Sequence, residues 1–189
     1  MIQSVPVSAE MREAARLEAA RRRAYIVQHF QVGHFGQADT DVLGFLGEFA
    51  ARQFLNIPWR SGIREDYLVP DSYDLLVAGL RLDVKTESIP RERLEAVVRG
   101  IVPRDGLYAS RWVNVGQASL LTKYDAVFFG AVARIPVDEV IEWFPLGWIP
   151  SHLVAEHSVV GRGATAAFAI PASDLNTPAS LQALLDAKR

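Results

Sequence analysis

The sequence predicts a single domain of mixed α/β structure. Segments with helical spacing of apolar residues alternate with short apolar or strand-like segments along the whole chain, as is typical of α/β and α+β domains. The chain has 189 residues, 50% of them apolar and 22% charged, which suits one independent hydrophobic core. We find no repeat, low-complexity tract or linker. We therefore divide the single domain (1–189) only into an N-terminal helical extension (1–36), a core (40–133) and a closing part (134–189).

Composition excludes several classes of protein. The absence of cysteine rules out disulfides and thiolate metal sites. The longest stretch without Asp, Glu, Lys or Arg is Ala24–Ala38, which is too short to cross a bilayer. Charged residues at Glu10, Arg12 and Glu13 stand where the apolar part of a secretory signal would begin, so we expect an intracellular, cytoplasmic protein without a membrane partner. The formal charge of −2 means that a nucleic-acid partner must be attracted by local charge.

Spacing and turn residues predict the elements. Helical spacing predicts Glu10–Phe30, with Ser8 as its N-cap, and Thr40–Leu55. Two short segments joined by Ala78-Gly79 predict a β-hairpin, and the unbroken apolar run Ala126–Ala133 predicts a central strand covered on both faces. The other predictions are helices at Arg91–Arg99, Gln117–Thr122, Pro150–His157 and Pro178–Lys188, and strands at Leu107–Val115, Glu139–Phe144 and Ala166–Ile170.

The hairpin, with arms Tyr73–Val77 and Leu80–Thr86, carries the residues that suggest chemistry. Alternation in the second arm places Asp83 and Lys85 on one face, and the turn folds Asp74 back toward them. Two converging carboxylates repel each other unless a cation lies between them, and hard oxygen ligands favour Mg²⁺. An ammonium beside such a metal can orient a water and neutralise charge on a phosphate, so the pattern predicts phosphodiester hydrolysis.

A second copy of the pattern, Asp186-Ala187-Lys188, shows that Asp-x-Lys alone proves little. This copy lies at the end of a predicted helix, where residues two apart do not share a face, and no carboxylate is expected on a neighbouring strand. Context therefore favours Asp83-Val84-Lys85 and rejects the second copy.

The core resembles the PD-(D/E)xK nuclease superfamily, also called restriction-endonuclease-like. The resemblance covers Thr40–Ala133 and rests on Gly47-Glu48 in the second helix, Asp74 in SYDLLV and Asp83-Val84-Lys85 in LRLDVKT. It implies an αβββαβ core whose central mixed sheet is flanked by helices. The implied activity is that of a Mg²⁺-dependent (or Mn²⁺-dependent) deoxyribonuclease, an endonuclease rather than an exonuclease, with RNA left open as a substrate.

The resemblance also implies roles for individual residues. Asp74 and Asp83 are the implied metal ligands, Lys85 positions or activates the water, and Glu48 is a further ligand or a general base. Gln117 is assigned a supporting role. Asp71, in the Pro70-Asp71 pair that matches the name of the family, is the alternative to Asp74.

Arginine supplies nearly all the positive charge, 17 of the 20 basic residues, and its guanidinium suits phosphate contacts. Two segments, Arg21–Arg23 and Arg91–Arg111, hold the densest positive charge. An ordinary solvated helix face is the alternative interpretation of each. Trp112 is expected in the core, as are the other strand tryptophans. The candidate phosphate contacts are Arg21, Arg22, Arg23, Arg99, Arg104 and Arg111.

A second function stays open at this point. A protein with the same fold can be a catalytically inactive module that binds nucleic acid or protein, since fold does not fix function. A homodimer is likewise left open.

Overall fold

A computed structural model of the chain describes residues 3–25, 37–63 and 73–188. Asp71 and the predicted last turn of the first helix lie outside these residues. The fold class is the predicted one: a mixed sheet is flanked by helices, and a second, smaller sheet packs nearby.

The described chain contains helices and strands in alternation. The helices are α1 Ala9–Tyr25, α2 Gln37–Phe54, α3 Arg91–Val98, α4 Ser151–Val154 and α5 Pro178–Asp186. The strands are β1 Val5–Pro6, β2 Leu75–Val77, β3 Leu80–Ile89, β4 Ser110–Asn114, β5 Ala126–Ala133, β6 Glu142–Pro150, β7 Val159–Val160 and β8 Ala167–Pro171. The sequence did not predict β1 or β7, and the strand predicted at Glu139–Phe144 begins earlier and is shorter than β6. The predicted cap at Ser8 is confirmed, because its Oγ accepts a hydrogen bond from the Met11 N–H at 3.1 Å.

Five strands form the main sheet, in the order β1-β6-β5-β3-β2. β3 and β5 run parallel, and the other neighbouring pairs are antiparallel. β5 lies between β3 and β6 and is buried along almost its whole length, which confirms the central position predicted from its apolar sequence. Its residues divide between two cores: Phe128 packs with α2 on one face, whereas Val127 and Phe129 pack with the second sheet on the other.

The predicted hairpin is confirmed. Ala78 and Gly79 have φ values of 47° and 78°, and two such residues in succession match the tight turn whose twist suits antiparallel strands. Leu75 pairs with Leu82, and the Asp74 N–H donates to the Leu82 carbonyl at 3.0 Å. The pairing therefore continues for one residue beyond β2 and sets Asp74 beside Asp83.

The strand predicted at Leu107–Val115 does not join the main sheet. It forms β4, which pairs with β8 in a separate three-stranded sheet, β4-β8-β7. The reason is that β3 and β5 are parallel neighbours, so the chain between them must cross over the sheet instead of adding a strand to it. The strand order expected from the αβββαβ pattern is thus present along the chain, but its third strand lies outside the main sheet.

A glycine sets the distance between α2 and the sheet. A Cβ at Gly47 would lie 1.8 Å from Thr86 Oγ1 on β3, so only glycine permits this approach. Thr86 Oγ1 is itself fixed, since it accepts a hydrogen bond from Trp143 Nε1 at 3.1 Å. The close contact brings the next residue of α2, Glu48, to the edge of the hairpin.

We expect Gly47→Ala to destabilise the protein by about 1–3 kcal/mol, the usual cost of inserting a methyl group into a packed contact. Gly44→Ala is the matched control, because it lies in the same helix and its Cβ would have nothing within 4 Å. Helix propensity should make the control up to about 1 kcal/mol more stable. Urea unfolding of both variants checks this; equal effects would show that α2 does not depend on the close contact.

Among the described residues, no helix combines the length and the apolar character needed to cross a bilayer.

Candidate functional site

Asp74, Asp83 and Lys85 meet at the open end of the hairpin. Asp74 Oδ2 accepts a hydrogen bond from the Val84 N–H at 2.7 Å, which fixes the Asp74 carboxylate against β3. Asp83 is only 3% exposed, and its Oδ1 lies 2.8 Å from Lys85 Nζ. The structure therefore brings together the three hairpin residues that the sequence pattern singled out.

Glu48 reaches this group from α2, where it is buried. Arg52, one turn later, connects α2 to the hairpin: its Nη2 donates to the Asp74 carbonyl at 2.6 Å. Arg52 Nη1 also lies 3.8 Å from Glu48 Oε2. Arg52 was not among the residues predicted from the sequence, although its spacing of four residues from Glu48 on a helix is a signal that could have indicated the pair.

The charges of these side chains act on one another. Burial raises the pKa of Asp74 well above its ordinary value, and the neighbouring Glu48 and Asp83 carboxylates raise it further. Burial alone would lower the pKa of Lys85, but the attraction of Asp83 and Asp74 outweighs it, so that this pKa is raised. Lys85 therefore carries a positive charge. Any additional positive charge nearby would stabilise the ionised form of Asp74.

Tyr124 is a further member that the sequence did not indicate. Burial, followed by the Asp83 and Asp74 carboxylates, raises the pKa of the Tyr124 phenol to about 12. Its neighbour Asp125 is held by Arg81 at the start of β3, with Nη2–Oδ1 and Nε–Oδ2 distances of 3.0 and 3.1 Å. This bidentate pair fixes Tyr124 just before β5, where it stays a neutral hydrogen-bond donor. We call Glu48, Asp74, Asp83, Lys85 and Tyr124 the hairpin site.

The donor chemistry of the hairpin site suits a divalent cation. Its three carboxylates face two cationic side chains, Lys85 and Arg52, which leaves one excess negative charge. In the part of the chain that the structure describes, no three His, Asp or Glu side chains lie close enough to ligate a metal together. Mg²⁺ commonly takes only one or two protein carboxylates and keeps several waters, so the Asp74 and Asp83 pair fits that mode of binding.

The other residues assigned from the sequence lie elsewhere. Gln117 is half-buried in the 3₁₀ helix Val115–Lys123, and its side chain forms no hydrogen bond with the described residues. Arg21 pairs with the buried Glu18 at 2.8 Å, and Arg23 with Asp41 at 3.0 Å. The guanidinium of Arg22 lies 5.9 Å from the centre of the Phe45 ring. The Arg21–Arg23 run thus contacts its own helix and α2.

The prediction that Arg111 contacts phosphate at the surface is wrong. Arg111 is 1% exposed, and its Nη1 lies 2.6 Å from Glu87 Oε2 on β3. Burial raises the pKa of Glu87 to about 7, despite the opposing effects of Arg111 and of the Trp112 backbone N–H. The pair joins β4 to β3 and is therefore part of the interior.

The remaining two arginines stay at the surface. Arg99 pairs with Glu95 at 2.9 Å within one helical turn. Arg104 is exposed and forms no ion pair with the described residues. Of the six arginines predicted to bind phosphate, Arg104 is thus the one that is exposed and has no ion-pair partner among the described residues.

A comparison of the chain with models of protein families, with curated proteins and with solved structures finds no match in any of the three.

Proposed function

We propose that the chain is a metal-dependent nuclease that hydrolyses phosphodiester bonds in DNA. The observation that supports this most is the hairpin site itself: carboxylates from α2 and from both arms of the hairpin, of which Glu48 and Asp83 are buried, lie around one charged lysine. Burial and the nearby Glu48 and Asp83 carboxylates raise the pKa of Asp74, so that its ionised form is costly, and functional sites are where such cost is commonly found. A site that binds a cation and then phosphate oxygens is the chemistry that this donor set suits best.

Each residue has a definite task under this proposal. Asp74 and Asp83 would hold Mg²⁺ or Mn²⁺, with Glu48 acting through a water, and the bound cation would supply Lewis-acid chemistry. Lys85 Nζ, anchored on Asp83, orients the attacking water and neutralises the charge that develops on the phosphate. Tyr124, kept neutral by its raised pKa, donates to a phosphate oxygen.

The direct test is incubation of the purified protein with Mg²⁺ or Mn²⁺ and linear, circular or branched DNA, and in parallel with RNA. We expect cleavage of DNA, including closed circles, because an endonuclease needs no chain end. Cleavage restricted to RNA would change the substrate class. Cleavage that survives both Asp83→Ala and Lys85→Ala unchanged would remove the hairpin site from the reaction.

The second candidate is a catalytically inactive binding module of the same fold, since fold does not fix function. Such a module would keep the polar residues of the hairpin site without binding a metal. Metal binding by the native protein therefore separates the two candidates.

We expect Mn²⁺ at about a hundred times its dissociation constant to raise the melting temperature by about 5 °C or more, since a ligand that binds only the native state stabilises it. Asp74→Ala should abolish the shift. Asp105→Ala is the control, because that carboxylate is exposed in a loop. An absent shift in the unmodified protein, together with salt-sensitive DNA binding, would support the inactive module.

A further inference from the structure

Trp112 lies at the surface, although the sequence predicted it in the core. It is 48% exposed on β4, between the buried residues Arg111 and Val113. Alternation along the strand explains this: the two neighbours face the interior, and the indole faces solvent. The indole forms no hydrogen bond or ring contact with any described residue. β4 thus presents a large aromatic side chain to solvent, while the side chains on its other face are buried in the interior.

The residues around Trp112 leave one face of its ring open. Ala169 lies directly opposite on β8, and the next pairs place Ala167 opposite Asn114 and Pro171 opposite Ser110. Side chains opposite each other in an antiparallel pair normally cover one another, but an alanine covers little of an indole. On the outer face of this sheet, the large flat side chain of Trp112 is therefore surrounded by smaller side chains.

β4, the strand that carries Trp112, borders the strand of the hairpin site. Arg111 Nη1 lies 2.6 Å from Glu87 Oε2, and Glu87 follows Lys85 by two residues on the same face of β3. Two strand residues span about 7 Å. Because β4 is an edge strand of the second sheet, a nucleotide chain that leaves the hairpin site would pass around this edge to reach the outer face on which the indole lies.

Two exposed arginines lie in segments that adjoin β4. Arg104 precedes β4, and Arg162 belongs to the turn whose Ala164 carbonyl accepts a hydrogen bond from Asn114 Nδ2 at 2.9 Å. Neither arginine forms an ion pair with the described residues. The acidic Asp174 nearby pairs with His157 at 3.3 Å, whereas Asp105 is exposed. An exposed aromatic side chain together with guanidiniums that have no ion-pair partner among the described residues is the combination that binds single-stranded nucleic acid.

We propose that Trp112 stacks on an unpaired base of the substrate, so that the preferred substrate is DNA with a single-stranded region. The inference rests on the proposed nuclease function and specifies its substrate class. Bases inside a duplex present their edges only, whereas an unpaired base offers a ring face to the indole. Stacking on a ring face is tolerant of sequence, so we expect no particular cleavage sequence.

Binding without metal tests the inference apart from catalysis. The probe is a fluorescein-labelled single-stranded oligonucleotide, compared with the duplex of the same sequence, in EDTA, with anisotropy as the readout. We expect Trp112→Ala to weaken binding of the single strand about tenfold to a hundredfold and binding of the duplex much less. Trp112→Phe should retain most of the affinity. Ile141→Ala, which removes another exposed apolar side chain (62% exposed) beside β6, should change nothing.

The outcomes separate the two proposals. Equal losses for single strand and duplex, or equal affinities of Trp112→Ala and Ile141→Ala, would overturn the stacking role even if the protein cleaves DNA. If binding depends on Trp112 but the protein cleaves no nucleic acid, the stacking role of Trp112 is upheld and the proposed nuclease function is overturned. Failure to bind either oligonucleotide, with self-association lost in Trp112→Ala during sedimentation, would overturn the stacking role and assign the indole to a protein contact.

Discussion

Replacing Lys85 by methionine is expected to lower the rate of DNA cleavage about a hundredfold to a thousandfold. The ammonium is held 2.8 Å from Asp83 Oδ1 and stays charged at neutral pH, because Asp83 and Asp74 raise its pKa. Removing one such fixed charge beside a reacting phosphate typically costs this much in rate. Methionine keeps the apolar stem, so the change removes mainly the charge.

Two further measurements make the Lys85 result specific. Lys123→Met removes an exposed lysine from the 3₁₀ helix and should leave the cleavage rate unchanged. The Mn²⁺-dependent rise in melting temperature should persist in Lys85→Met, because Asp74 and Asp83 are still present. A normal cleavage rate in Lys85→Met would show that the lysine only neutralises Asp83. Loss of both the metal response and the activity would mean that the variant has damaged the site as a whole.

The hairpin and its three polar residues could be predicted because everything that places them is local. A two-residue turn fixes which strand residues are opposite, and the period of two fixes which share a face. Asp74, Asp83 and Lys85 lie within twelve residues of one another along the chain, so these two rules suffice. The central position of β5 followed from its unbroken apolar run, which is a property of the segment alone.

The parts that could not be predicted depend on contacts between distant segments. Whether β4 joins the main sheet or the second sheet depends on its partner, β8, which begins more than fifty residues later. The same choice buries Arg111 against Glu87 and turns Trp112 to solvent, so one unforeseen pairing changed the roles of both residues. Tyr124 joined the hairpin site only because β3 and β5 are parallel neighbours, which no local pattern records.

Replacing Arg111 by methionine is expected to destabilise the protein by about 3–5 kcal/mol, the usual cost of removing one partner from a buried ion pair. Arg111 is 1% exposed, and the side chain of its partner Glu87 is 19% exposed, so water can compensate little of the lost charge. The matched comparison is Arg104→Met, which removes an exposed arginine from the segment before β4 and should change stability by less than about 0.5 kcal/mol. Urea unfolding measures both.

Two measurements test why Arg111→Met loses stability. One is a second replacement, at Glu87, and the other is the pH dependence of the loss. Adding Glu87→Gln to Arg111→Met should restore part of the stability, because no uncompensated carboxylate is then left in the interior. A carboxyl whose pKa is raised in the folded state favours folding at low pH and loses that advantage as the pH rises through the raised value. Since the pKa of Glu87 is raised to about 7, the loss in Arg111→Met should be smaller at about pH 5, where Glu87 is protonated in the folded protein, than at about pH 8. A loss that is independent of pH and unchanged by Glu87→Gln would mean that Arg111 stabilises β4 through packing and through its hydrogen bond to the Tyr108 carbonyl, and that the charge of Glu87 is not what makes the arginine necessary.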